Sequence, residues 1–80
     1  MKKQEIKNLL VQYFKEKKVY ESVNQIDLEN LADELSKMNF INADILLKYI
    51  GKVTVFIKES VDFSDTNYLI TQMVNLINSK

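Results

Sequence analysis

The 80-residue chain is 46% hydrophobic, 28% charged and 10% aromatic, a composition that predicts one small globular domain over residues 1–80 and excludes a disordered chain. Eleven lysines balance eleven acidic residues, and there is no arginine, so we expect no nucleic-acid partner. Cysteine and histidine are both absent, which excludes disulfides, thiolate nucleophiles and histidine bases. We therefore expect neither an enzyme nor a metal site.

The distribution of apolar and turn-forming residues favours an all-α fold. No apolar run reaches the roughly 18 residues of a membrane span, and the first residues form no apolar signal core. We therefore expect a cytoplasmic protein without a membrane span. We also expect a monomer. The chain has one glycine, Gly51, and no proline, whereas hairpins need turn residues that adopt positive φ.

The N-terminal segment predicts an amphipathic helix. Its apolar residues recur at the helical spacing of three and four, at Ile6, Leu9, Leu10, Tyr13 and Phe14. Residues 19–26 read as a connection, and its apolar anchors are Val19, Val23 and Ile26. One or two further helical turns are then predicted, with apolar positions at Leu28, Leu31, Ala32 and Leu35.

Two more helices are predicted in the second half. One spans about 40–57, with Asn39 or Asn42 as its N-cap. Its β-branched end, residues 53–57, reads as a fraying helix rather than a strand, because no comparable strand is available to pair with it. After a polar connection over 58–65 with Val61 and Phe63 as core contacts, a last helix covers 66–78, capped by Ser64 or Asp65.

The charges are segregated along the chain. Residues 1–20 hold six lysines and two acids, whereas residues 21–35 hold five acids and no lysine. We expect these segments to complement each other across the bundle surface; the alternative is a charged docking face for a partner. The side chains expected to form the core are Leu10, Phe14, Leu35, Phe40, Ile45, Tyr49, Ile57, Met73 and Ile77.

From Ile26 to Leu46 the chain reads IDLENLADELSKMNFINADIL, and this stretch resembles the acyl carrier and peptidyl carrier protein family. Leu35 matches the leucine of the family's turn, and Phe40 the leucine that follows its modified serine. Residues 43–45 match the family's Val-Glu-Leu, and residues 70–77 resemble its last helix. The resemblance implies an acyl-carrier-like four-helix bundle with three long helices and one short helix.

The family attaches its phosphopantetheine arm to the serine of an Asp-Ser-Leu triplet, which here reads Met38-Asn39-Phe40. Asn39 has no hydroxyl and cannot form the phosphodiester, so no cofactor is expected. The less favoured attachment sites are Ser36 and Ser22. The residues on either side of Ser36 do not match the family's triplet, whereas Ser22 lies in a stretch that is similar to it. By resemblance, partners would bind through the second helix and the loop before it, at Met38, Phe40, Ile41, Asp44, Lys48 and Lys52.

Two functions remain open from the sequence. The first is a divergent carrier-like protein of fatty-acid, polyketide or nonribosomal-peptide pathways that docks to carrier-pathway enzymes without a covalent arm. The alternative is an unrelated small helical adaptor or inhibitor that binds other proteins. The two functions differ in whether carrier-pathway enzymes are the partners.

Overall fold

The computed structural model describes residues 2–55, 62–63 and 67–79, and these contain four α-helices and no strand. The helices are α1 (Lys2–Glu16), α2 (Gln25–Ser36), α3 (Ala43–Val53) and α4 (Tyr68–Asn78). The all-α, four-helix prediction is confirmed. The helices are 15, 12, 11 and 11 residues long, so the described part shows no division into three long helices and one short helix.

Helix α2 is longer than predicted. Instead of one or two turns it forms twelve residues, because Asn24 caps it and accepts hydrogen bonds from the backbone N–H groups of Ile26 and Asp27. The predicted connection before it contains a short 3-10 helix, Tyr20–Ser22. Val19 and Val23 are buried there as predicted, whereas Ile26 is 71% exposed on the first turn of α2 and does not anchor the segment.

Asparagine side chains also set the starts of α3 and α4. Asn42 caps α3, as one of the two predicted candidates. Asn67 caps α4 in place of Ser64 or Asp65, which lie outside the described residues. Helix α3 ends at Val53, where Thr54 donates its hydroxyl to the Ile50 carbonyl. The predicted continuation of this helix to residue 57 and the contact at Val61 lie outside the described part.

The helices run up and down in sequence, so neighbours in the chain are antiparallel. The start of α1 meets the end of α4, where the Lys2 ammonium donates to the carbonyl oxygens of Ile77 and Ser79 at 3.2 and 3.0 Å. At the other end, the Tyr68 hydroxyl donates to Glu16 at 2.8 Å. None of the helices in the described ranges is long and apolar enough to cross a membrane.

The core lies between the four helices. Of the predicted core residues, five are buried: Leu10, Phe14, Leu35, Met73 and Ile77. Tyr49 is half-buried against this cluster, and Ile57 lies outside the described residues. Phe63 packs on the core as predicted, with its ring 6.3 Å from the rings of both Tyr13 and Phe14.

Two core predictions are wrong. Phe40 is 76% exposed and Ile45 is 37% exposed. The reason is the phase of α3: its buried residues are Leu46 and Ile50, so position 45 falls toward the solvent side of the helix. Ile41, rather than Phe40, turns from the preceding loop into the core, with only 2% of its surface exposed.

Candidate functional site

The loop between α2 and α3, residues 37–42, presents an aromatic side chain to solvent. Its backbone leaves α2 through Lys37 and enters α3 through the Asn42 cap. Phe40 lies between them with 76% of its surface exposed, and Asn39 beside it is exposed as well. An exposed phenyl ring gives up roughly the 1.5–3 kcal/mol that burial of such a side chain contributes. Phe40 is therefore the most conspicuous apolar group on this end of the bundle.

The loop that carries Phe40 is held by a side chain from α4. The Asn78 carboxamide accepts a hydrogen bond from the Ile41 N–H and donates one to the Ile41 carbonyl, both at 2.8 Å. The amide thus satisfies both backbone groups of one residue, as a neighbouring strand would. With the Ile41 side chain buried as well, this loop is fixed at the residue directly after Phe40.

The outer face of α3 continues the surface from the loop. Its exposed residues are Asp44, Ile45, Lys48, Gly51 and Lys52, and at the 3.6-residue repeat these lie on the side opposite Leu46 and Ile50. We call the exposed positions of this helix together with Phe40 the α3 face. The Lys52 ammonium lies 4.5 Å from the centre of the Tyr49 ring, a cation–π contact.

Two charged residues of the α3 face, Asp44 and Lys48, have no ion-pair partner within the described part of the chain. Asp44 and Lys48 are four residues apart on one side of the helix, yet neither forms an ion pair there. Together with Leu47 and Phe63 they line an open pocket of about 520 Å³. The face therefore combines an apolar ring, a partly exposed isoleucine and unpaired charges of both signs.

Gly51 lies in the middle of this exposed surface, and no contact within the described residues requires a glycine there. Its φ is not positive, and a Cβ built on it would meet no atom within 4 Å. Glycine inside a helix costs about 0.5–1 kcal/mol relative to alanine. The α3 face thus includes a position at which another molecule can approach the helix backbone.

The predicted partner-binding residues are only partly brought together. Phe40, Asp44, Lys48 and Lys52 share the α3 face. Met38 is half-buried against the core, and Ile41 is buried, so neither side chain is part of the exposed surface of the α3 face. Ile41 is buried, and Phe40, the residue directly before it, is exposed.

The three candidate attachment positions differ in their surroundings. Asn39 lies in the exposed loop, three residues before the cap of α3. Ser36 is half-buried at the end of α2, where its hydroxyl donates to the Asp33 carbonyl at 2.7 Å. Ser22 is exposed at the end of the 3-10 helix, on the first connection of the chain.

The segregated charges of the sequence form ion pairs between α1 and α2. The ammonium groups of Lys3 and Lys7 reach the two carboxylate oxygens of Glu29 at 2.8 and 2.7 Å, and Asp33 pairs with Lys37 at 3.0 Å. These bonds from Lys3 and Lys7 lower the pKa of Glu29 to about 2. Glu29 therefore pairs across the contact between α1 and α2, and Asp33 pairs with Lys37 at the end of α2 and, at 3.9 Å, with Lys3 of α1.

Sequence reasoning missed three residues of this surface. The Asn78 clamp has no sequence signal, because it depends on where α4 ends relative to a loop 37 residues away. Ile45 is predicted in the core because the apolar residues around it leave the phase of α3 open, and its exposure is seen only in the structure. The sequence shows Gly51 only as the one glycine of the chain, and it does not show that this glycine lies on an exposed helix face.

Comparisons with known proteins add no relative. No family model, no curated protein and no solved structure matches the chain. Among the described residues, no group of three or more histidine, cysteine, aspartate or glutamate side chains could hold a metal ion.

Proposed function

We propose that the protein is a docking module without catalytic activity, which binds a partner protein through Phe40 and the outer face of α3. The observation that carries the proposal is that Phe40 is exposed on a loop that is fixed rather than loose. An aromatic anchor that is already held in place loses little conformational entropy when a partner buries it. Such anchors supply most of the binding free energy of protein interfaces.

The absence of catalysis in this proposal rests on the residues available. The sequence contains no histidine or cysteine, and the Ser36 hydroxyl is bonded to a backbone carbonyl. Ser22 lies exposed with no base positioned to accept its proton in the part of the chain that is described. The surface residues of the α3 face are suited to recognition, because they combine an apolar anchor with charges that select a complementary surface.

Capture experiments with single substitutions test the docking module. The wild-type protein, immobilised and exposed to extract of cells that make it, is compared with Phe40→Ser and with Ile26→Ser. Ile26 is a matched control, since it is 71% exposed but lies on the first turn of α2. We expect a partner retained by the wild type and by Ile26→Ser and lost with Phe40→Ser. Equal retention by all three proteins would contradict a docking role for Phe40.

The finer form of the proposal assigns the partners to the enzymes of a carrier pathway. It is supported by the resemblance of residues 26–46 to carrier proteins and by the exposure of Asn39 beside Phe40, ahead of α3. In this form the protein docks to those enzymes without a phosphopantetheine arm, because Asn39 offers no hydroxyl. The alternative form is an adaptor or inhibitor unrelated to carriers, which uses the same α3 face.

Intact mass measurement separates the two forms. The natural sequence and the double variant Met38→Asp/Asn39→Ser are incubated with coenzyme A and a broad-specificity phosphopantetheinyl transferase. The carrier-like form predicts no mass gain for the natural sequence and at least partial loading of the double variant. Absence of loading in a folded double variant would favour the unrelated adaptor. Loading of the natural protein at Ser36 or Ser22 would contradict the armless form.

A further inference from the structure

A groove of about 170 Å³ lies between α2 and α3. Four residues of α2 line it, at a spacing of three and four that places them on one side of the helix: Asp27, Asn30, Leu31 and Glu34. The carboxylates of Asp27 and Glu34 are exposed and form no ion pair in the described part of the chain. Glu29 of the same helix pairs with α1, whereas Asp27 and Glu34 leave the groove negatively charged along α2.

The α3 side of the groove holds a lysine that does not neutralise these acids. Tyr49, Lys52 and Val53 line this side. The Lys52 ammonium lies 4.5 Å from the centre of the Tyr49 ring, and it pairs with no carboxylate of the described residues. The ring of Tyr49 therefore holds this cation, and the two carboxylates on the opposite wall stay unpaired.

The size and the lining of the groove select a long basic side chain. Pockets for drug-sized ligands and cofactors are roughly 300–1,000 Å³, so a groove of about 170 Å³ takes a single side chain. Leu31 is buried and Val53 is half-buried, and together they give the groove an apolar surface. Lysine and arginine lay an aliphatic stem on such a surface and keep the charged head among polar groups.

The spacing of the acids favours a peptide segment over a single cation. Asp27 and Glu34 are seven residues apart on α2, roughly 10 Å, so one ammonium group does not pair with both. Two basic residues on the same side of an extended peptide are about 7 Å apart, and their long side chains span the difference. The exposed Asn30 amide, which lies between the acids along α2, both donates to and accepts from peptide groups.

We propose that the α2–α3 groove binds a basic segment of a partner protein, which lays a lysine or arginine stem on Leu31 and Val53 and pairs with Asp27 and Glu34. The groove lies beside the start of α2 and the end of α3, at the opposite end of the bundle from the loop that carries Phe40. Binding here is thus additional to docking at the α3 face.

Chemical-shift titration with a basic peptide tests the groove. The probe is acetyl-Ala-Lys-Ala-Lys-Ala-amide, added at low salt to the isotope-labelled full chain, and the control peptide carries glutamine in place of both lysines. We expect shifts that saturate at millimolar lysine peptide and are confined to residues 27–34 and 49–53. We expect no saturable shift with the glutamine peptide, and weaker binding of the lysine peptide as salt is added.

Three variants separate the groove from general attraction between charges. Asp27→Asn/Glu34→Gln should weaken binding of the lysine peptide by roughly threefold to tenfold. The matched control Glu5→Gln/Asp44→Asn removes the same charge from exposed positions outside the groove and should leave the affinity unchanged. Lys52→Gln should strengthen binding, because it removes a like charge from the rim. Circular dichroism confirms that each variant is folded.

Four results would overturn the inference: no saturable shift with the lysine peptide, equal binding of the glutamine peptide, equal losses in the two double variants, or weaker binding by Lys52→Gln. Cadaverine, a free diamine, serves as a further competitor, and binding of cadaverine as tight as that of the lysine peptide would overturn the assignment to a protein segment. Phe40→Ser should leave the titration unchanged, so failure of the groove and failure of the docking module are read separately.

Discussion

Asn78 shows how a single side chain can decide what a loop presents. Its carboxamide satisfies both the N–H and the carbonyl of Ile41, and the loop that carries Phe40 is fixed as a result. A backbone group that loses its partner in a partly buried site costs about 1–3 kcal/mol. The stability of this end of the bundle therefore depends on one amide at the last residue of α4.

Asn78→Ala is expected to lower the free energy of unfolding by about 1–3 kcal/mol and to speed amide exchange at Ile41. The matched control is Asn75→Ala, on the exposed side of the same helix, which should change the stability by less than about 0.5 kcal/mol. Urea unfolding and amide hydrogen exchange measure the two effects. Equal losses in both variants would mean that the clamp does not hold the loop.

Lys18 marks the end of α1 in a conformation that usually needs glycine. Its φ is 64°, and it lies in a Schellman turn in which the Lys18 N–H donates to the Lys15 carbonyl and the Val19 N–H to the Phe14 carbonyl. The buried side chains of Val19 and Phe14 provide the apolar contact of this motif. A lysine there bears the steric cost of a left-handed backbone.

Lys18→Gly should raise the free energy of unfolding by about 0.5–1 kcal/mol, since glycine removes that steric cost. Gln12→Gly, at an exposed position inside the same helix, should lower it by about 1 kcal/mol. Thermal or urea unfolding of the two variants gives the comparison. A destabilised Lys18→Gly protein would contradict the left-handed conformation of this residue.

At the scale of the elements, the contact between α1 and α2 is electrostatic at its edge. Glu29 accepts from Lys3 and Lys7, and its pKa is lowered from 4.5 to about 2 by these hydrogen bonds. Because the folded pKa is below the unfolded value, the contribution to stability is present above about pH 4.5 and is lost as the pH falls toward 2. The pair is solvent-exposed, so salt weakens it.

Glu29→Gln is expected to be less stable than the wild type near neutral pH, and the difference should shrink as the pH falls from about 4.5 to about 2. Glu34→Gln, which removes an acid of α2 that forms no ion pair in the described residues, should show no such convergence. Melting temperatures across this pH range measure both. Parallel curves for the wild type and Glu29→Gln would contradict the assignment.

Some of the helices could be predicted from the sequence alone, and others could not. Helices α1 and α4 follow from their apolar spacing, because each packs one stripe on the core and exposes the rest. The predicted length of α2 is too short, because its capping residue, Asn24, lies in a segment that the sequence predicts as a connection. The phase of α3 could not be fixed from the sequence, because residues 40, 41, 45 and 46 are all apolar and only packing against the other helices chooses between them.

At the scale of the whole molecule, two phenylalanines differ in how deeply their side chains are buried. Phe14 is completely buried in the cluster that joins the helices, whereas Phe40 is mostly exposed on the loop before α3. The sequence marks both as apolar and cannot tell a core residue from a docking residue. Their difference in burial is what directs the functional proposal to the α3 face.

Phe14→Ala should lower the free energy of unfolding by about 3–5 kcal/mol, a large part of the stability of a domain this small. Phe40→Ala should change it by less than about 0.5 kcal/mol, because little of its surface is removed from water. Equilibrium urea unfolding with circular dichroism, which should show a mostly helical protein, measures both. A comparable loss of unfolding free energy in Phe40→Ala would show that Phe40 is a core residue.

The docking role of the α3 face is tested most directly by photocrosslinking from position 40. Phe40 is replaced by benzoylphenylalanine in cells that make the protein, and the same group is placed at Gln12, an exposed position of α1, as the control. We predict covalent protein adducts from position 40 and none specific to position 12. Absence of adducts at position 40, or the same adducts from both positions, would contradict the account.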